Sequence, residues 1–118
     1  MSSENKTLEG FFNILLRWNV DMEHTSIASV WEAHRQASWP QLSDPNEGQL
    51  MTLDTVIGGC AVYYLDSAEG LDAPRIAMLK DCIADLDNLL DDLRDEPLSY
   101  FRRLRLLAEL LLASETSP

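Results

Sequence analysis

Between Leu71 and Leu93, apolar residues recur at Ile76, Leu79, Ile83, Leu86, Leu90 and Leu93, in alternating steps of three and four. A strand alternates every second residue and cannot use that spacing, whereas a helix of 3.6 residues per turn gathers it into one stripe. At about 100° per residue, Asp81, Asp85 and Asp92 fall opposite the stripe, and Asp87, Asp91 and Asp95 fill the adjoining quadrant. The stretch reads as an amphipathic helix started by Asp72 and Pro74, with one face for a core and a concentrated negative face outside it.

Similar periodicity organises the rest of the chain. After a polar lead at 1–6, expected to fray, Thr7 can cap a first helix. Leu8, Phe11, Phe12, Leu15, Trp18 and Met22 share one arc of it, while Val20, Ile27, Val30, Trp31 and His34 share another, which predicts a break or kink between Asn19 and Asp21. Trp39-Pro40 places a loop at 38–44, because the residue before proline is pushed out of the helical region. Asp44, Pro45 and Glu47 then supply a cap, a proline for the first turn and an early acid.

From there Leu50, Leu53, Ile57, Cys60 and Tyr64 form a stripe, with Met51, Val62 and Leu65 as a second apolar edge, so this helix is expected to be central. Gly58-Gly59 costs it about 1 kcal/mol per glycine relative to alanine. The small residues Thr55 and Gly59, four apart, predict a tight helix crossing at Gly59 as the compensation; a kink is the alternative. Gly70 suits a left-handed helix end. After Pro97, residues Tyr100, Phe101, Leu104, Leu106, Leu107, Leu110, Leu111 and Leu112 cover most of a last helix, which is either the centre of the bundle or a homodimer seam carried by Leu106 and Leu110. The end, 115–118, is expected to be loose.

The expected fold is therefore all-α: one domain over 1–118, a compact antiparallel bundle of four to five helices, because short connections make consecutive helices pack as neighbours. A composition of 46% apolar and 25% charged residues supports a packed domain over a disordered chain. Twenty acids against nine bases leave a formal charge of −11, which disfavours nucleic acid and anionic membranes and favours a basic protein partner. No segment approaches the length of a membrane span and no charged-then-apolar leader opens the chain, so the cytoplasm is the expected compartment.

Motifs for chemistry are lacking. The acid run has no glycine-centred loop for calcium, and its carboxylates face outward, away from the burial that acid–base pairs need. His24 and His34 stand ten apart, outside metal-ligand spacing, and His34 shares an apolar face, where a packed, hydrogen-bonded histidine is expected. Cys60 and Cys82 occupy apolar positions, and no nucleophile elbow or phosphate loop occurs. Of the arginine cluster, Arg103 projects into the apolar arc as a candidate for an internal ion pair, whereas Arg102 and Arg105 are expected to face solvent.

No catalytic residue, cofactor or metal is therefore expected. The leading expectation is a non-enzymatic module that docks a basic partner through Asp81, Asp85, Asp87, Asp91, Asp92 and Asp95, as an inhibitor, immunity protein or antitoxin would. The alternative is a homodimeric bundle with a structural role or a small apolar ligand. Tyr63-Tyr64 cannot both face the core, and an outward Tyr63 near Asp66 and Glu69 would add an aromatic anchor; packing of the tyrosines into a groove between helices is the simpler reading. In composition, a small acidic helical chain with paired tyrosines beside acids resembles bacterial nuclease-toxin immunity proteins. That likeness is general and carries no site residue across.

Overall fold

Four helices account for most of residues 23–116, the part of the chain described by the computed structural model. Residues 23–36 form α1; α2 spans Glu47–Asp66, α3 Ala73–Leu89 and α4 Asp95–Thr116, with a 3-10 turn at Leu90–Asp92 between the last two. No strand occurs among the described residues. The expected break at Asn19 to Asp21 and the polar lead lie outside them.

The Asp72 cap starts α3 where the sequence places it, whereas α2 begins at Glu47 after Asn46, which makes no side-chain cap bond, rather than at Pro45 behind an Asp44 cap. The Asp44 side chain accepts the Asn46 N–H at 2.7 Å and its carbonyl accepts the Glu47 N–H at 3.1 Å, so a tight turn feeds α2 and its regular ladder begins at Glu47. Asp72 caps α3 by accepting the Arg75 N–H at 3.0 Å, with Pro74 in the first turn. Between them, Gly70 adopts φ +82°, and a Cβ there would stand 2.6 Å from Glu115 Oε1. The same Glu115 oxygen accepts the Leu71 N–H at 2.9 Å, tying the end of α4 to the α2–α3 turn. The helix thus extends through Glu115 and Thr116, the first part of the segment expected to be loose, while 117–118 lie outside the described residues.

Helices α2, α3 and α4 pack against one another in pairs, in keeping with antiparallel neighbours joined by short connections. Their shared core comprises Leu50, Leu53, Ile57 and Cys60 of α2, Leu79, Cys82, Leu86 and Leu89 of α3, and Phe101, Leu104, Leu107 and Leu111 of α4. Each large apolar side chain buried there stabilises by about 1.5–3 kcal/mol relative to exposure. Helix α4 contributes Tyr100, Phe101, Leu104, Leu107, Ala108 and Leu111 to the core, and α2 buries a comparable set, although Met51 and Val62, expected as its second apolar edge, are exposed. Leu110 packs partly against this core, and Leu106 stands 45% exposed between exposed Arg102 and Glu109.

Along α3, the buried line is Leu79, Cys82, Leu86, Leu89 and Leu93; Ile76, Ile83 and Leu90 lie half-buried on its flank. The stripe is thus rotated toward Cys82 and Leu89, because α3 is wedged between α2 and α4 and packs on both. Its α-helical ladder also gives way to the 3-10 turn at Leu90, and Leu93 re-enters the core in an extended conformation.

Helix α1 lies against α2, burying Ile27 and His34. The close approach falls at Gly58, not at Gly59. A Cβ on Gly58 would meet the Trp31 ring at 3.2 Å, while one on Gly59 would meet nothing within 4 Å. The predicted tight crossing at Gly59 is not found: the glycine that gives room is Gly58, one residue earlier and about 100° round the helix, and it makes room for the Trp31 side chain.

Candidate functional site

Two surfaces collect the polar groups that the core leaves over. The first is the outer side of α3 continued through the 3-10 turn into α4. Asp81, Asp85, Asp91, Asp92, Asp95 and Glu96 are all exposed there, and none forms an ion pair with a described residue. Away from this side, Glu32 pairs with Arg35 at 2.7 Å and Asp72 with Arg75 at 2.5 Å, whereas Glu47, Asp66 and Glu69 form no ion pair with a described residue.

Asp87 belongs to the matched group. Arg105 of α4 reaches it with Nε at 2.6 Å and Nη2 at 3.3 Å, and donates Nη1 to Glu109 at 2.5 Å. This two-pronged bond holds the Asp87 carboxyl below its ordinary range. It also corrects the reading of the arginines. Arg105 makes the interhelical pair, whereas Arg103 forms no ion pair among the described residues; its buried Nε has no partner, and its guanidinium lies 6.0 Å from the Tyr100 ring. Arg103 sits two residues before Arg105, roughly 160° round α4 from it, on the side of Tyr100, and forms no ion pair with a described residue.

Tyr63 and Tyr64 are both half-buried. Arg75 covers the Tyr63 ring at 3.7 Å, and Tyr64 lies 5.7 Å from the His24 ring, so the groove-packed reading describes both. Tyr63 stands beside the first turn of α3, in a hollow with Val62, Asp66, Ser67 and Arg75, while the acids concentrate toward the opposite end of that helix.

The second surface is a cleft of about 350 Å³ between α1 and α2, walled by Trp31, His34, Asp54, Gly58, Val62 and Tyr100. His34 is 3% exposed and its Nε2 lies 2.6 Å from Asp54 Oδ1. The Tyr100 hydroxyl donates to the same oxygen at 2.9 Å. Burial first, and then this bond to a carboxylate, drives the Tyr100 phenol well above its ordinary range. His34 is the packed, hydrogen-bonded histidine expected from its face.

Its partners were not foreseen, though one signal was present. Asp54 sits between Leu53 and Ile57 on the buried side of α2, and an acid among core positions requires donors. Trp39, from the loop after α1, closes the far side by packing edge-on against Tyr100 and Phe101, 5.5 and 5.6 Å between ring centres.

Chemically the cleft has a fixed carboxylate and aromatic walls. Thr55 Oγ1 is occupied by the Met51 carbonyl at 3.0 Å. Cys60 and Cys82 are buried in the core, where loss of solvent raises both thiols, Cys82 to about 11, and so suppresses their reactivity. Among the described residues no three His, Cys, Asp or Glu side chains converge as a metal site, and no helix is long and apolar enough to cross a membrane. No family model, curated protein or solved structure matches this chain.

Proposed function

We propose that this protein is a non-enzymatic acidic module that docks a basic protein through the outer side of α3 and the start of α4, in the manner of an inhibitor, immunity protein or antitoxin acting in the cytoplasm. The observation that carries the reading is the concentration of exposed acids on this one side: Asp81, Asp85, Asp91, Asp92, Asp95 and Glu96 form no ion pair with a described residue, and only Asp87 beside them holds an arginine. Asp81 and Asp85 are four apart on α3, where like charges mildly oppose folding. A basic partner would turn that opposition into attraction, speeding encounter and selecting against acidic competitors.

The test is a pull-down from native lysate with wild type and with the Asp85→Lys/Asp92→Lys double variant, at low and high salt. A basic protein held by wild type at low salt, weakened at high salt and lost by a double variant of unchanged melting temperature is the expected result. Equal capture by both proteins would overturn the reading.

A further inference from the structure

We infer that the cleft between α1 and α2 receives the guanidinium group of an arginine side chain from the basic partner, with Asp54 as its counter-ion. The inference rests on the basic-partner reading and assigns that partner an anchor distinct from the acidic face. Asp54 Oδ1 takes hydrogen bonds from both His34 and Tyr100, whereas Oδ2 takes none from a described residue, although the side chain keeps 26% of its exposure. The carboxylate is thus held rigidly on one side and open on the other, an arrangement that lets an incoming cation bind without first ordering its acceptor.

The surroundings favour arginine over a compact ammonium. Trp31 and Tyr100 line the cleft, and a planar guanidinium packs on aromatic rings while donating to a carboxylate. The bare helix surface at Gly59 and the 44% exposed Val62 leave an apolar path for the methylene stem. The cleft's own cation, Arg35, does not compete, because Glu32 holds it at 2.7 and 3.2 Å. At about 350 Å³ the cleft is at the small end of ligand pockets, which suits a single side chain.

The experiment follows amide and indole signals of the isotope-labelled full chain during titration with N-acetyl-arginine amide, N-acetyl-lysine amide and uncharged N-acetyl-citrulline amide. Expected are saturable shifts at the Trp31 indole and the Gly58 and Gly59 amides with the arginine probe, weaker shifts with lysine and none with citrulline. Asp54→Asn, which preserves the acceptor for His34 and Tyr100 but removes the charge, should weaken arginine binding about tenfold. Gly59→Leu, which fills open space, should block it even if Asp54→Asn proves poorly folded. Shifts confined to α3, lysine binding as strong as arginine, or binding unchanged in both variants would overturn the inference. The partner separates the two readings. If the α3 double variant loses it and Asp54→Asn does not, the docking face stands and the cleft anchor falls; if neither variant loses it, the basic-partner reading falls.

Discussion

Asp54 and Asp85 are the same residue type on neighbouring helices, and the protein treats them in opposite ways. Asp54 is half-buried at the cleft and held on one oxygen by His34 and Tyr100, so the fold fixes its position. Asp85 is exposed, lies four residues from Asp81, and has no described partner. The first carboxylate organises three elements, α1, α2 and α4; the second leaves its negative charge to the solvent or to another molecule. Acidity in this chain therefore takes two forms, one fixed in place by the fold at a cleft, the other spread over an open surface.

The contrast is sharpest in stability. Asp54→Ala strands the buried His34 ring and Tyr100 hydroxyl without their acceptor and is expected to cost about 2–4 kcal/mol in denaturant unfolding, while Asp85→Ala stays within about 0.5 kcal/mol of wild type. Equal effects would erase the distinction. Next in size is the glycine pair beside the cleft. Gly58→Leu drives a side chain into the Trp31 ring and is expected to cost about 1–3 kcal/mol by overpacking, with the His34–Asp54 contact disturbed. Gly59→Ala, with open space at its Cβ, is expected to gain about 0.5–1 kcal/mol from helix propensity. A reversed order would move the crossing to Gly59.

The smallest expected effect is alkaline. The buried Tyr100 phenol has a folded-state value raised above its unfolded one, so its contribution is complete below about pH 10 and is lost as the pH climbs. Cys82, raised from 9.0 to about 11, adds to the decline across that interval. Thermal melts should fall from pH 9 upward, and Tyr100→Phe, which removes the titrating group, should show a shallower fall from a lower starting stability. An identical slope in the variant would detach Tyr100 from the alkaline response.

Local signals were legible where one residue's own chemistry decides the outcome. Asp72 with Pro74 starts α3 and the three-and-four spacing makes helices; Gly70 takes the expected positive φ, but in the turn beyond the end of α2 at Asp66 rather than at the helix end itself. Angular detail was less so. The buried line of α3 shifted toward Cys82 and Leu89 and the close approach moved from Gly59 to Gly58, because a helix wedged between two partners orients to both, and sequence periodicity averages over them. Long-range polar pairing was the least legible. Arg105 meets Asp87 and Glu115 meets Leu71 across turns of chain that no periodic pattern encodes.

Sequence alone determined the helical class, the capped start of α3 and the exposed acids of α3, since each follows from residues within a turn or two of one another. Tertiary structure decided which carboxylates are spent. Whether an acid meets His34 and Tyr100, as Asp54 does, or meets nothing, as Asp85 does, depends on which helices lie beside it, and those neighbours come from residues 20 and 46 positions away along the chain.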